Sequence, residues 1–383
     1  MNIMICSSDN CATSGAFLCM LEMCRYIQNK TNLLVILPCE GSGSNLLQKY
    51  NIPYKIIRSY PWVTPINGGA IKKIKSYIKA IVNYKAVKEI TRIIKKYDID
   101  IVHSNSTWSY VGIAAAKKCG VRCVWHLREA MELSQGLRIF YSKDYIRSLI
   151  QYTNTFIAVS SFIKEYFKKE KNITNIITIY DTVDAKKYYN SRKRIFQNES
   201  VNIIMVNAVY PGKRQLELME ALTYIKPSLL NYLNVYVVGD TNNNPSYFKE
   251  LKRFIIDNNL SSYVRFMGTV QEIEKIYLMG DISCICSPFE SFGRVTIESM
   301  LSGCLVIGCD SGATKELIKD GVTGLHYRAG DAKSLANKIE HILSHKKDFI
   351  MMSKEAQRYA LSHFQIEKTG EQIFDLYKRI YSG

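Results

Sequence analysis

Short apolar runs alternate with helix-period segments along this chain, in two series, and that alternation limits the fold more than any other feature. In the first series "NIMICS" (2–7), "NLLVILP" (32–38), "DIDIVHSNS" (98–106), "CVWHLRE" (123–129) and "TFIAVSS" (155–161) read as strands. "AFLCMLEMCRYIQNK" (16–30) reads as the first helix between them. In segment 71–96, Ile71, Ile74, Ile78, Ile81, Val87, Ile90 and Ile94 recur at three- and four-residue steps, which predicts a long helix. The second series runs "VNIIMVNAV" (201–209), "LNVYVVGD" (233–240), "VRFMGTV" (264–270), "ISCICSP" (282–288), "CLVIGCD" (304–310) and "TGLHY" (323–327). Strands that alternate with helices form parallel sheets covered on both faces. The polar, basic stretch "YNSRKRIFQNES" (189–200) separates the series. The expected architecture is therefore α/β, with one doubly wound domain over 1–188 and a second over 189–365. The last segment, 366–383, carries an apolar stripe at Ile366, Ile373, Tyr377 and Ile380 and is expected to pack as a helix on the first domain. Sheets of this kind bind ligands beyond the carboxyl ends of their strands.

Composition removes several other classes. At 383 residues with 47% hydrophobic and 22% charged residues, the chain can fill two cores and is not a disordered polymer. It has no apolar run of about 18 residues, so no membrane-spanning helix is expected. "MNIMICSSDNCATSG" lacks a basic leader and reads as a strand entering a loop, which predicts a cytoplasmic protein. The 11 cysteines are scattered, with no second pair at zinc-finger spacing, and read as small buried apolar residues. The formal charge of +17 is uneven. Residues 1–185 hold 25 Lys+Arg against 13 Asp+Glu, whereas 186–383 hold 26 against 21.

The stretch "SPFESFGRVTIESMLSGCLVIG" (287–308) carries the clearest site. "ISCICSP" is a buried strand, "FESFG" the loop at its carboxyl end, and "RVTIESML" the following helix. Gly293 lets backbone approach a ligand, and the helix start beyond it offers free amides and a positive dipole end to phosphate. Glu298, one to two turns into the helix, can accept two hydroxyl hydrogen bonds from a ribose, while Glu290 faces the far end of the same ligand. Such a pair suits a nucleoside diphosphate joined to a sugar. The plain alternative makes Glu290 a helix cap and Glu298 a solvated helix residue.

That stretch resembles the signature of glycosyltransferase family 4, the retaining GT-B nucleotide-sugar transferases. The likeness continues in "VVGD" (237–240), "VRFMGTV", "DSGATKELIKDGVTGLHY" (310–327), "YDTVD" (180–184, with Asp181 where Asn is usual) and "SGA" (14–16, around Gly15). It implies two facing Rossmann-like domains, the final helix crossing back to the first. It further implies that Glu298 holds the ribose, Glu290 the donor sugar, and Phe292, Gly293, Arg294 and Val295 the diphosphate, with Gly15 also on the donor. "MVNAVYPGKRQLELMEAL" (205–222) is similar to the family's phosphate-binding segment, placing Lys213 on the phosphate lysine. The family arginine falls on Ala208, a departure for which Arg214 and Arg294 are the two candidate replacements. His126, at a strand end, matches the family histidine beside the transferred sugar. His103 and Arg128 are candidates for the acceptor side.

The implied reaction is metal-independent, retaining transfer of a hexose-type sugar from a nucleoside diphosphate, most commonly uridine diphosphate, to a glycan or lipid-linked glycan in cell-surface polysaccharide synthesis. No cofactor is expected. "DID" (98–100) imitates a metal-binding Asp-x-Asp, but Asp98 ends a helix and Asp100 opens a strand, at the wrong edge of the sheet for ligands. A nicotinamide oxidoreductase lacks its glycine fingerprint here, since "SSDNCATSGAF" follows the first strand. An epimerase or phosphorylase of the same fold, or a basic non-catalytic scaffold, stays as the alternative; a nucleic-acid partner is not expected. In 71–96, Lys72, Lys73, Lys75, Lys79, Lys85, Lys88, Arg92, Lys95 and Lys96 face a single acid, Glu89. Such a helix predicts peripheral attachment to the anionic inner face of the cell membrane, the alternative being a core-packed stripe with solvated lysines.

Overall fold

The computed structural model describes residues 1–65, 70–130, 132 and 136–382, and for residues 70–73 the backbone alone. The chain divides into two compact units, Met1–Thr182 with Ile366–Gly383, and Val183–Gln365.

The first unit holds a parallel seven-stranded sheet. Its strands are β1 (Asn2–Ser7), β2 (Asn32–Leu37), β3 (Tyr54–Ile56), β5 (Ile101–Asn105), β6 (Arg122–Leu127), β8 (Thr155–Ala158) and β9 (Ile176–Thr178), in the order β3-β2-β1-β5-β6-β8-β9. A small antiparallel pair, β4 (Val63–Pro65) with β7 (Leu137–Ile139), lies apart from it. The strand order reverses between β1 and β5, the switch point at which crevices open in such sheets. Ile3, Ile5, Val35, Ile101, Val124 and Ile157 make one face of the core. Helix α1 (Gly15–Ile27) covers it with Phe17, Met20 and Ile27, α2 (Gly43–Lys49) adds Leu47, and the terminal helix Ile366–Ser382 adds Ile373, Leu376 and Tyr377. Ser14 caps α1 by accepting from Phe17 N.

The long helix α3 (Ala70–Lys96) departs from a uniform core-facing stripe. Its second half buries Val87, Ile90 and Ile94. Its first half leaves Ile74, Ile78 and Ile81 more than half exposed, at 61%, 56% and 60%. The side chains of Ile71, Lys72 and Lys73 lie outside the described residues.

The second unit holds six parallel strands: β10 (Val201–Val206), β11 (Leu233–Val238), β12 (Val264–Gly268), β13 (Ile282–Ile285), β14 (Leu305–Cys309) and β15 (Leu325–Tyr327). Their order is β12-β11-β10-β13-β14-β15, so the switch point falls between β10 and β13. Two strands run as almost unbroken buried residues, as a doubly covered parallel sheet requires: IleSerCysIle of β13 and LeuValIleGlyCys of β14. All 11 cysteines are free thiols, most of them core residues, and burial pushes Cys6, Cys24, Cys284, Cys304 and Cys309 up to about 12. Among the described residues no helix is long and apolar enough to cross a membrane.

Candidate functional site

In the second unit the loops after β10 and after β13 emerge on either side of the switch point. The first makes a short 3-10 turn, Pro211–Lys213, which lifts Lys213 off the sheet. The second carries Glu290. The Lys213 ammonium and the Glu290 carboxylate form an ion pair in which both side chains are largely shielded, 17% and 13% exposed. Burial is the largest influence and would pull the lysine down; the Glu290 charge, Tyr210 and the hydrogen bond to Glu290 together outweigh it and hold the ammonium above its ordinary pKa. Lys213 therefore stays cationic at the carboxyl edge of the sheet.

Glu290 is held from a third direction. Its carbonyl accepts from Ala313 N at 2.8 Å, and a side chain at Gly312 would meet Glu290 N at 2.9 Å and Pro288 O at 3.0 Å. Gly312 has φ +60°, so this close approach and this backbone both need glycine. Glu290 is thus an anchored member of the site and not the cap of the next helix. That cap is Gly293, in the left-handed region at φ +85°, and helix Arg294–Leu301 starts from it. In its first turn the hydroxyl of Thr296 is buried with no partner among the described residues.

Glu298 is 7% exposed and is not solvated. It accepts from Tyr277 Oη at 2.8 Å and lies 3.3 Å from Arg294 Nε. Arg294 thus sits on Glu298, while Arg214 turns to Glu217 at 3.2 Å. Glu217 also receives Gly330 N at 3.0 Å. Phe292 is buried edge-to-face on Phe364, with ring centroids 6.0 Å apart, and Val295 is half-buried. Beside Ala208, the amide nitrogen of Asn207 is buried and meets no acceptor among the described residues. Sequence reading passed over Asn207, Thr296 and Tyr277; the first two are polar residues directly adjoining expected ones.

A second cluster lies in the first unit, near the carboxyl ends of β5 and β6. His103 and His126 are fully buried, with His103 Nε2 3.2 Å from His126 Nδ1. Tyr377 Oη is 2.6 Å from His103 Nδ1, and Arg128 Nη2 is 3.4 Å from His126 Nδ1. A guanidinium can only donate, so His126 Nδ1 is an acceptor and its proton sits on Nε2. The same logic puts the His103 proton on Nε2 and makes Tyr377 the donor to Nδ1. His126 Nε2–H is then a buried donor left without a partner among the described residues. Burial, helped by the Arg128 charge, holds His103 down to about 3 and His126 well below its usual value, so both rings are neutral near pH 7.

Arg128 is fully enclosed, donating from Nε to Asn105 Oδ1 at 2.8 Å and pairing with Asp181. The acid at 181, unusual beside the resembled pattern, balances a buried cation. Glu129 accepts from Ser106 and Thr107 hydroxyls at 2.8 and 2.9 Å, yet burial keeps it above the usual carboxylate range. Gly15 stands exposed at the start of α1. Asp100 accepts from Asn2 N at 2.7 Å at the amino edge of the sheet. Among the described residues no group of three His, Cys, Asp or Glu side chains is placed to hold a metal.

Comparison with known proteins agrees with these two units. The family model "Glycosyltransferase Family 4" matches residues 15–187, and "Glycosyl transferases group 1" matches 189–359. The chain is 26% identical over 241 residues to an N-acetyl-alpha-D-glucosaminyl L-malate synthase of Bacillus anthracis, an alignment spanning 61% of this chain and 62% of that one. It is 25% identical over 325 residues to the Escherichia coli UDP-Gal:alpha-D-GlcNAc-diphosphoundecaprenol alpha-1,3-galactosyltransferase, spanning 78% and 80%. In fold it is similar to Anabaena HepE in complex with UDP, with TM-score 0.82 at 22% identity over 99% and 100% of the two chains. A glycosyltransferase of Rickettsia africae superposes with TM-score 0.81 at 20% identity, covering 99% and 98%. With both units matched in order, the chain belongs to glycosyltransferase family 4, and its fold is GT-B.

Proposed function

We propose that this protein is a retaining glycosyltransferase that moves a hexose-type sugar from a UDP-sugar to a polyprenyl-diphosphate-linked glycan. The observation that carries this reading is the cluster across the β10/β13 switch point: Lys213 paired to Glu290, and Glu298 buried in the helix that starts at Gly293. The bound names of its relatives support the finer points. The E. coli relative acts on a diphosphoundecaprenol acceptor, and a Campylobacter jejuni relative, 23% identical over 177 residues, acts on a PP-undecaprenol glycan.

In this mechanism Glu298 takes the ribose hydroxyls. The first-turn amides of helix Arg294–Leu301, with Thr296, take the diphosphate. Lys213 leaves Glu290 for the leaving group, whose charge grows as the anomeric carbon becomes oxocarbenium-like, so its effect is greatest in the transition state. Glu290, freed, accepts from the sugar hydroxyls. Both candidate arginines are paired, Arg214 with Glu217 and Arg294 with Glu298; Arg294 is favoured for the diphosphate because it stands in the first turn of the helix whose amides take it. The pre-set Nε2–H of His126 donates to the transferred sugar. The acceptor hydroxyl attacks from the face the diphosphate leaves, and its proton passes to the departing phosphate oxygen. The charge stabilisation comes from lysine, arginine and amides, so we propose that no metal is required.

We further propose that the enzyme works at the cytoplasmic face of the membrane. Lys75, Lys85, Lys88 and Arg92 are exposed on α3 beside the uncovered Ile74, Ile78 and Ile81. The test is a melting-temperature screen of nucleotide-sugars, followed by transfer of labelled sugar with chelator present. A donor at 100 times its dissociation constant raises stability by about 2.7 kcal/mol. No shift with any uridine-, guanosine- or adenosine-linked sugar would overturn the donor reading, and loss of transfer in chelator with rescue by manganese would overturn metal independence.

A further inference from the structure

The first unit contains a cavity of about 730 Å3 that the transfer mechanism does not use. Its size falls within the range of roughly 300–1,000 Å3 typical of small-ligand sites. Its floor is aromatic: Trp62, Trp125 and Phe156, with Trp62 and Trp125 centroids 5.6 Å apart. The walls come from β7, from helix Lys143–Tyr152 through Ile146, and from α3 through Tyr77 and Ala80. The lining is mostly apolar; its polar side chains are the small hydroxyls of Thr64, Ser76, Thr107 and Ser142, three tyrosines, and the charged Arg138, Lys143 and Lys171, the last paired to Glu132 at 2.8 Å. Arg138 and Lys143 are exposed.

Two relations tie this cavity to the proposed chemistry. Strand β6 alternates, so Trp125 and Leu127 line the cavity while His126 faces the opposite side of the sheet with His103. Thr107 lines the cavity and donates its hydroxyl to Glu129, the neighbour of Arg128. On the outer side, Tyr77 lines the cavity and is 73% exposed, in line with uncovered Ile74, Ile78 and Ile81. An apolar surface therefore leads from the uncovered side of α3 into a half-enclosed, mostly apolar space edged by cations. Both indole N–H groups of the floor are already taken, Trp62 by Thr107 O and Trp125 by Ser106 O, so the floor offers a sugar no donor; a hydrocarbon chain with a phosphate at its end satisfies both the floor and the edge.

We infer that this cavity seats the phosphate-proximal isoprene units of a polyprenyl-linked acceptor, with Arg138 and Lys143 on its phosphate. The inference rests on the lipid-linked acceptor proposed above. It is tested by binding, so its outcome does not depend on transfer. Trp62 and Trp125 are two of the chain's three tryptophans, so their emission reports on the cavity. Undecaprenyl phosphate titrated in detergent is expected to change that emission saturably. Ala80→Phe, which fills the space from α3, is expected to weaken the response about tenfold or more. An unchanged circular dichroism spectrum certifies its fold. The surface pair Arg138→Gln with Lys143→Gln is expected to weaken undecaprenyl phosphate and leave undecaprenol, the uncharged alcohol, unaffected. The inference is overturned by no saturable response, by an equal response in Ala80→Phe, or by equal competition from dioleoyl phosphatidic acid, which would assign the cavity to acyl lipids. Saturable binding of a free soluble glycan in its place would also overturn it, while leaving the transferase reading intact.

Discussion

Tyr377 Oη donates 2.6 Å to Nδ1 of His103, and His103 in turn donates to His126, so a residue of the terminal helix completes the proton order that Arg128 imposes on a buried histidine pair. The donor–acceptor chain ends on the free Nε2–H of His126. Tyr377→Phe is expected to leave His103 Nδ1 unsatisfied and to cost about 1–3 kcal/mol of stability. Nitrogen-15 spectra of His103 and His126 should show the Nε2–H tautomer in the parent protein and, because Arg128 still donates to His126, in the variant, with the His103 Nδ1 resonance shifted; a tautomer mixture in the variant would move control of the proton order from Arg128 to Tyr377.

The same pair sets a pH dependence. Both rings have pKa values lowered by burial, His103 to about 3, whereas an unfolded histidine titrates near 6.5. Between those values the unfolded chain binds more protons, so stability is full above about 6.5 and falls as pH drops, by at most ~1.4 kcal/mol per pH unit for each ring. His103→Gln should flatten the fall in melting temperature between pH 6.5 and 4.5. An unaltered slope would mean that other groups dominate.

Glu298 accepts from Tyr277 and pairs with Arg294, so its removal takes an acceptor from both and its effect on binding is read in a variant shown to fold. Glu298→Ala is expected to weaken nucleotide affinity by roughly 1.5–3 kcal/mol, about ten- to a hundredfold. Calorimetric titration of UDP into a variant with a native circular dichroism spectrum would check this, and unchanged affinity would remove the ribose role.

Lys213 and Glu290 form an ion pair with each other, so their single substitutions should not add. Lys213→Ala is expected to lower kcat on the order of 100-fold with a smaller change in donor affinity. The double variant with Glu290→Ala should lose much less than the product of the two single losses. Multiplicative losses in steady-state kinetics would show that the pair is not a functional unit.

The α3 surface predicts salt-sensitive lipid binding. Removing Lys75, Lys85 and Lys88 together, each changed to Gln, should cost ~3 kcal/mol of binding to anionic vesicles at low salt. Ile78→Ser should weaken binding at all salt concentrations, because it removes apolar insertion and not charge. Co-sedimentation separates the two; no binding at low salt would leave an enzyme that meets its acceptor in solution.

Strands such as β1, β10 and β14 were legible because their residues are apolar almost without break, which a doubly covered sheet demands and little else produces. The three-residue strands β3, β4, β7 and β9 were not, since Lys55, Thr64 and Arg138 within them give no period. Helical period found the stripe of α3 but could not say what covers it: Ile90 is fully buried and Ile81 bare, although both lie on it. Glu290 and Lys213 could be named from motifs 77 positions apart, while their ion pair depends on how two loops flank one switch point. Tyr377 and His103 stand 274 positions apart, and no local signal announces that contact.

The first unit is assembled from both sides of the second in sequence order, because helix Ile366–Ser382 completes the core begun by Ile3 and Phe17. During translation, the sheet bearing both histidines must therefore wait while some 180 further residues are made, its apolar flank open to chaperones or to misassociation with other nascent chains. Premature termination between Gln365 and Tyr377 would release a product whose donor-side residues are all present and whose histidine pair lacks its tyrosine donor.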